Sequence, residues 1–285
     1  MSYPPITPFL LLGSCVLATG SAETVAYYDF ESGSLASTGG SAGDLTSVGT
    51  NPSIATPFSN ISFGGVDAND NAKVLYADNS SNAFSADAFT IEAIFQYQGA
   101  SDVLASTFDT VNSSTNKGIG WLFGTRASGS ENGFWFAYST DGTDSGRKDI
   151  YSEEVSPGTL DMTAGSYYYA ALSVDMSDTS ATGLTFYMQD ITTAGNSLLS
   201  VSATHTGTSI YDTGTEFTIG DIANASVLGG SPSGVNYTGP IDAVRYSNTQ
   251  LAADDLLISI PEPAAGGIIL VGSISAFLVA RRRRS

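Results

Sequence analysis

Cysteine and positive charge are both scarce in this chain. Its only cysteine is Cys15, within an N-terminal apolar segment, so the rest of the chain has neither a disulfide nor a thiol nucleophile. Four of the ten lysines and arginines lie together at residues 281–284. Residues 24–260 therefore carry 26 acidic side chains against 6 basic ones, a formal charge of −20. Because such a charge repels nucleic acid, we expect no DNA or RNA binding.

Residues that commonly carry catalysis are also few. His205 is the only histidine, so a Ser-His-Asp triad would depend on it, and there is no histidine metal pair. Glycoside hydrolysis needs two carboxylates at a fixed separation. Glu92 has no second acid on its predicted strand, and the adjacent Glu153 and Glu154 would point to opposite faces of one. These absences favour a non-enzymatic protein. A glycoside hydrolase remains the alternative, because two acids from separate strands could still form a catalytic pair.

The N-terminus has the pattern of an export signal. Apolar residues 6–18 precede Gly20 and Ala22, small residues that suit cleavage after Ala22, and we predict a signal peptide over residues 1–22. Residues 12–15, Leu-Gly-Ser-Cys, also resemble a lipobox, which would instead lipidate Cys15. Labelling with palmitate distinguishes the two routes.

The C-terminus combines three features in a fixed order. The motif Pro261-Glu262-Pro263 comes first, and an apolar run follows over residues 264–280. The chain then closes on a basic cluster consisting of Arg281, Arg282, Arg283 and Arg284. A helix over the 17 apolar residues would be about 26 Å long, at the short limit for crossing a bilayer. The arginines would keep its end in the cytoplasm.

Residues 261–285 resemble the PEP-CTERM sorting signal. The resemblance implies a Gram-negative-type bacterium, an exosortase-type membrane protease as partner, and a C-terminal anchor in the inner membrane before processing. It also implies delivery to the cell surface or to an exopolysaccharide matrix. A permanent tail anchor is the alternative, and a C-terminal tag retained on the surface form would favour it.

The middle of the chain alternates as antiparallel strands do. In residues 89–97, Phe89, Ile91 and Phe95 share one face with Ala93 and Tyr97, whereas the other face is polar; this pattern predicts a half-buried strand. Turn-forming residues separate the other predicted strands, which are Val25–Phe30, Lys73–Tyr76, Val103–Thr107, Gly120–Thr125, Gly133–Ser139, Tyr167–Asp175, Leu184–Gln189, Phe217–Ile222 and Gly239–Ser247. Only residues 251–257 indicate helix. We predict one all-β domain over residues 24–258, an antiparallel two-sheet jelly-roll sandwich.

Four short segments resemble the laminin-G-like, concanavalin A-like family. They are Tyr28-Asp29-Phe30-Glu31, Phe89-Thr90-Ile91-Glu92-Ala93, Leu184-Thr185-Phe186-Tyr187-Met188 and the closing Gly239-Pro240-Ile241-Asp242-Ala243-Val244-Arg245. The glycine that the family often places after the third segment is absent here. The resemblance covers about residues 25–258 and implies the fold more strongly than any ligand.

Calcium is the cation that the acidic residues favour. Asp242 shares a strand face with Val244 and Tyr246, so a core position would bury its carboxylate and require a partner. The family resemblance suggests a structural Ca²⁺ that joins Asp242 to an N-terminal strand near Asp29. The alternative is a carboxylate that accepts backbone N–H bonds or pairs with Arg245 or Lys73. The acidic loops 67–71 and 141–146 are weaker candidates, because each lacks part of a calcium-loop pattern.

Aromatic residues give the candidate ligand surface. Trp121 and Trp135 lie in neighbouring predicted strands, and Trp135 must face away from Phe134. An exposed tryptophan could stack on a sugar ring, whereas core packing is the alternative. We therefore expect an exported, non-enzymatic module that contacts glycan or matrix. A glycoside hydrolase of the same fold and a structural matrix protein without a small ligand are the alternatives.

Overall fold

The computed structural model describes residues 23–48, 53–55, 60–62, 74–109, 118–129, 131–193, 195–223, 236–237 and 239–259. The predicted signal with Cys15 and Ala22, the sorting tail, Lys73 and the loop 67–71 lie outside the described residues. Within those ranges, no helix has both the length and the apolar composition that a membrane crossing requires.

Strands dominate the described part of the chain. They are β1 Thr24–Tyr28, β2 Thr46–Val48, β3 Ser53–Ala55, β4 Asn60–Ser62, β5 Val74–Ala77, β6 Ala88–Gln96, β7 Val103–Phe108, β8 Ile119–Ser128, β9 Glu131–Ser139, β10 Arg147–Tyr151, β11 Tyr167–Asp175, β12 Leu184–Asp190, β13 Leu199–Ala203, β14 Phe217–Ile219 and β15 Pro240–Ser247. The helical elements are the α-helix Ser152–Val155 and three 3-10 turns, Glu31–Gly33, Ala253–Asp255 and Leu257–Ser259.

The strands form two antiparallel sheets. The first sheet has the order β13-β12-β11-β6-β15-β4-β3, and β1 also pairs with β15. The second sheet has the order β10-β9-β8-β7-β14-β5-β2. This arrangement confirms the predicted all-β fold of two antiparallel sheets.

One aromatic-rich core joins the sheets. The inward face of β6 supplies Phe89, Ile91 and Phe95, which are fully buried, because alternate side chains of a strand point to one side. Phe89 packs on Trp121 of the second sheet with ring centroids 5.0 Å apart. Burial of each such side chain contributes about 1.5–3 kcal/mol, so this face accounts for much of the cohesion between the sheets.

The centre of β6 is buried on both faces, which corrects the half-buried strand that its alternation predicts. Thr90 and Glu92 face away from the core, yet both are fully buried. The C-terminal segment, residues 249–259, lies over this outer face of the first sheet. Its Leu251 and Leu256 pack with Tyr169 in a second apolar cluster. The segment forms short 3-10 turns, so the helix predicted over residues 251–257 is largely absent.

Candidate functional site

Trp135 lies on the outer face of the second sheet, half-buried. Its neighbour Phe134 lies in the core, so the two side chains face opposite ways, as the alternation predicts. The indole rests against a small apolar cluster on this outer face that includes Val103, Leu122 and Ala137. Across the β9–β10 pair it stands opposite Tyr151, with ring centroids 6.4 Å apart.

The polar edge of the indole is held by a carboxylate. Trp135 Nε1 donates to Asp149 Oδ1 at 2.8 Å, and Arg147 donates to the same oxygen from Nε at 3.0 Å and from Nη2 at 2.7 Å. The Arg147 guanidinium also lies 5.3 Å from the Trp135 ring centroid and 5.5 Å from that of Phe108. One oxygen therefore fixes both the indole plane and the arginine beside it.

A second arginine covers the neighbouring ring. The Arg126 guanidinium lies 3.7 Å from the Tyr151 ring centroid, and Arg126 Nε is 3.5 Å from Glu153 Oε1. The Glu153 side chain is 6% exposed, and it occupies space that the absent side chain of Gly133 leaves open: a Cβ there would lie 2.7 Å from Glu153 Oε2. We call Trp135, Tyr151, Arg126, Arg147 and Asp149 the Trp135 strip.

The structure does not bring Trp121 to this surface. Its side chain is fully buried in the core, where Nε1 donates to the carbonyl oxygen of Phe84 at 2.7 Å. Trp121 and Trp135 lie on opposite faces because the pairing of β8 with β9 sets Trp121 beside the inward-facing Tyr138. The proposed ligand role for Trp121 is therefore wrong, and its function is packing.

Asp242 is half-buried on the outer face of the first sheet, not in the core beside Val244 and Tyr246. The pairing of β15 with β6 shifts register between Ile241 and Ala243, and this irregularity turns Ile241 inward and leaves Asp242 outside. Burial raises the pKa of Asp242 to about 7, and the charges of Glu31 and Asp29 add to the increase. The charge of Asp29 therefore acts on Asp242, and the calcium site that the family resemblance suggests between them stays a prediction.

Asp29 and Asp242 repel each other, so a cation bound between them would be attracted by both carboxylates. A hard cation would relieve the repulsion that raises the pKa of Asp242. Over the residues that the structure describes, however, no three His, Cys, Asp or Glu side chains are grouped closely enough to hold a metal ion. The described residues thus offer carboxylates for Ca²⁺ but not a complete acidic ligand set. Arg245, which we considered as a partner of Asp242, is bonded to Glu92 instead.

No protein-family model matches this sequence, and no curated protein matches it. Solved structures share its fold at low identity. The binding domain of botulinum neurotoxin DC in complex with SialylT is 11% identical, with a TM-score of 0.51 over 83% of this chain and 50% of that one. The binding domain of botulinum neurotoxin serotype C1 is 12% identical, with a TM-score of 0.50 over 83% and 51%.

A third solved structure is the Ruminococcus gnavus sialidase CBM40 bound to α2,3-sialyllactose, 13% identical with a TM-score of 0.45 over 70% of this chain and 94% of that one. The chain spans about half the length of the two toxin domains that it matches. At these identities the likeness to the two toxin domains shows the fold alone.

Sequence reasoning missed a buried ion pair in the first sheet. Glu92 is fully buried and bonded to Arg245, which is 8% exposed; Glu92 Oε1 also accepts the Tyr169 hydroxyl at 2.6 Å and the Leu257 N–H at 2.7 Å. Arg245 Nη2 donates to the Asp255 carbonyl oxygen at 2.9 Å. The opposite charges of Glu92 and Arg245 in the sequence could have indicated an ion pair. Their burial could not be predicted, because it depends on the C-terminal segment that covers them.

His205 is also placed as a structural residue. It is 5% exposed, and its Nδ1 lies 2.8 Å from the carbonyl oxygen of Gly207, while Nε2 lies 3.2 Å from that of Asp175. Each ring nitrogen of His205 thus lies within hydrogen-bond distance of a backbone carbonyl oxygen. This geometry gives a nucleophilic serine no imidazole edge on which to transfer a proton.

Proposed function

We propose that this chain is an exported, non-enzymatic module that binds glycan through the Trp135 strip. The observation that supports the proposal is a half-buried indole that donates to Asp149 and lies beside the Arg147 guanidinium, with Arg126 over the adjacent Tyr151 ring. Sugar sites combine an aromatic face with a few oriented donors and acceptors, and the strip provides both. The DC toxin domain, whose structure is a complex with SialylT, has the same fold and supports the proposal by analogy only.

Export and sorting belong to the same proposal. The signal over residues 1–22 and the PEP-CTERM-like tail over residues 261–285 would carry the domain across the inner membrane and hand it to an exosortase-type protease. The mature domain would then reach the cell surface or a polysaccharide matrix. A C-terminal epitope tag tests this route: its loss from the surface form in a host with such a protease, and its retention without one, is the expected result.

Intrinsic fluorescence tests the strip directly because the chain has only two tryptophans and Trp121 is enclosed in the core. Glycans that bind the strip should shift the emission of Trp135. Trp135→Ala should abolish the shift and weaken binding about tenfold, the factor expected for loss of a stacking contact worth ~1.4 kcal/mol. Leu199→Ala removes a side chain of the other sheet that is 42% exposed and serves as the control. Equal affinity of the two variants would refute the strip as the site.

A glycoside hydrolase is the second candidate, and Asp242 is the observation that favours it. A carboxyl with a pKa of about 7 beside a second carboxylate, Asp29, matches the division between a general acid and its partner. Release of reducing ends from a panel of glucans and galactans, lost in Asp242→Asn, would establish this activity. If no polysaccharide of the panel is cleaved between pH 5 and pH 8, the hydrolase proposal is refuted and the glycan-binding proposal stands.

A further inference from the structure

A row of hydroxyl side chains crosses the outer face of the first sheet. The registers of four strand pairs place Ser202 of β13, Thr185 of β12, Ser173 of β11, Thr90 of β6 and Ser247 of β15 at one level. Thr185 Oγ1 lies 3.0 Å from Ser202 Oγ, within hydrogen-bond distance, and Thr90 Oγ1 lies 3.2 Å from Ser173 Oγ. We call these five residues the hydroxyl row.

The chain's own backbone covers one half of the hydroxyl row. Ser173 Oγ donates to the Leu251 carbonyl oxygen at 2.8 Å, and Thr90 Oγ1 donates to that of Thr249 at 2.9 Å. Thr90 Oγ1 also accepts the Leu251 N–H at 2.8 Å. In the covered half, these hydroxyls therefore act as paired donors and acceptors toward a neutral polar chain.

The other half of the row is open and forms the floor of a groove. The groove has a volume of about 300 Å³, at the lower end of the range for small-molecule sites. Thr185 and Ser202 lie on its floor, and Tyr187, Gln250 and Leu251 line it as well. Tyr187 is half-buried beside Leu251, so its ring is held in place while part of it remains accessible.

The lining sets the class of ligand. None of the eight residues that line the groove carries a charge, in a protein whose net charge is −18. At the rim, Asp178 accepts the Thr182 hydroxyl at 2.6 Å, and this bond, with two more from Ser180, lowers the pKa of Asp178. An anionic ligand would therefore meet the Asp178 carboxylate at the rim and an uncharged lining, whereas a neutral ligand with several hydroxyls would exchange hydrogen bonds with the floor.

We propose that this groove binds a neutral saccharide segment of one or two rings, with Thr185 and Ser202 as its hydrogen-bonding floor and Tyr187 as its apolar wall. The site goes beyond the proposed function, since it lies on the opposite sheet from the Trp135 strip and depends on none of its residues. In the covered half of the hydroxyl row, Ser173 and Thr90 show how serine and threonine hydroxyls satisfy a neutral polar chain.

Calorimetric titration of the full-length chain with neutral glucose, mannose and galactose tetrasaccharides tests the proposal. The double variant Thr185→Val with Ser202→Ala removes both floor hydroxyls, and valine is a residue that strands favour. We expect at least one tetrasaccharide to bind and the double variant to bind it about tenfold more weakly, since two hydrogen bonds are lost. Thr46→Val, which alters an exposed hydroxyl on the second sheet, should bind as the wild type does.

The outcomes separate this site from the Trp135 strip. Binding that the double variant weakens and Trp135→Ala leaves intact supports the groove, whatever happens to the strip. Binding that only Trp135→Ala weakens overturns the groove and leaves the proposed function standing. A wild-type chain that binds no neutral tetrasaccharide, or a groove that binds sialylated or uronic tetrasaccharides more tightly, also overturns the proposal. Melting midpoints of the double variant and Thr46→Val show whether both remain folded.

Discussion

Loss of the buried ion pair should release the C-terminal segment from the first sheet. Glu92 and Arg245 lie between the sheet and this segment, and each also bonds to it: Glu92 through the Leu257 N–H and Arg245 through the Asp255 carbonyl. Glu92→Leu would leave a buried guanidinium without its carboxylate. Arg245→Met would leave a fully buried carboxylate without its cation.

The expected magnitude follows from burial. Removal of one member of a buried pair costs about 3–5 kcal/mol, because an uncompensated charge remains in the interior. The double variant removes both charges and should recover part of that cost. It still deprives the Tyr169 hydroxyl and the Leu257 N–H of their acceptor, each worth about 0.5–1.5 kcal/mol. We therefore expect the double variant to be less stable than the wild type by about 1–3 kcal/mol, which is less than either single variant.

Denaturant unfolding of the wild type, both single variants and the double variant gives the coupling between the two side chains. Hydrogen exchange adds a local readout: amides of the C-terminal segment, Leu257 above all, should lose protection in Glu92→Leu before the core strands do. Single-variant costs that simply add in the double variant, with unchanged protection at Leu257, would refute the reasoning that the pair holds the segment.

Two further predictions concern Asp242. Its folded pKa of about 7 lies above the ordinary value near 3.9, so between these values the folded state holds a proton that the unfolded state has released, and stability should fall as pH rises from about 4 to about 7. The half-buried position limits this loss to on the order of 1 kcal/mol; Asp242→Asn should flatten the pH profile of the melting midpoint, and an unchanged slope would contradict the assignment. If Ca²⁺ binds beside Asp29, millimolar Ca²⁺ should raise the wild-type midpoint relative to EDTA and leave Asp242→Asn unaffected, whereas equal wild-type midpoints would exclude calcium there.

Alternation in the sequence predicts most of the sandwich because central strands bury one regular face. The pattern Phe89, Ile91, Phe95 places β6 correctly, and residues 167–175 match β11 at both ends. The short strands β2, β3, β4 and the edge strands β10 and β13 escape prediction. The first three have only three residues each, and the residues of β10 and β13 are mostly polar or exposed, so no apolar period marks any of them.

The candidate sites, like the strands, could be predicted only where they depend on local sequence. Alternation is enough to separate Trp135 from Phe134, since it depends only on neighbours in one strand. The sequence could not reveal that Trp121 faces inward, because that depends on strand pairing between β8 and β9. It also could not anticipate the groove or the buried Glu92, since both are created by the C-terminal segment, which folds over the sheet and lies 165 positions from Glu92 at Leu257 and 68 from Thr182 at Gln250.

The pairing of β1 with β15 brings the first and last strands of the domain together. Thr24 stands opposite Ser247, and the Asn248 N–H donates to the Glu23 carbonyl oxygen at 3.2 Å. A pulling force applied between Glu23 and Asn248 would break the hydrogen bonds of this strand pair one after another. The strand pair would therefore resist little tension. Tethered at only one end, the same domain carries no such load.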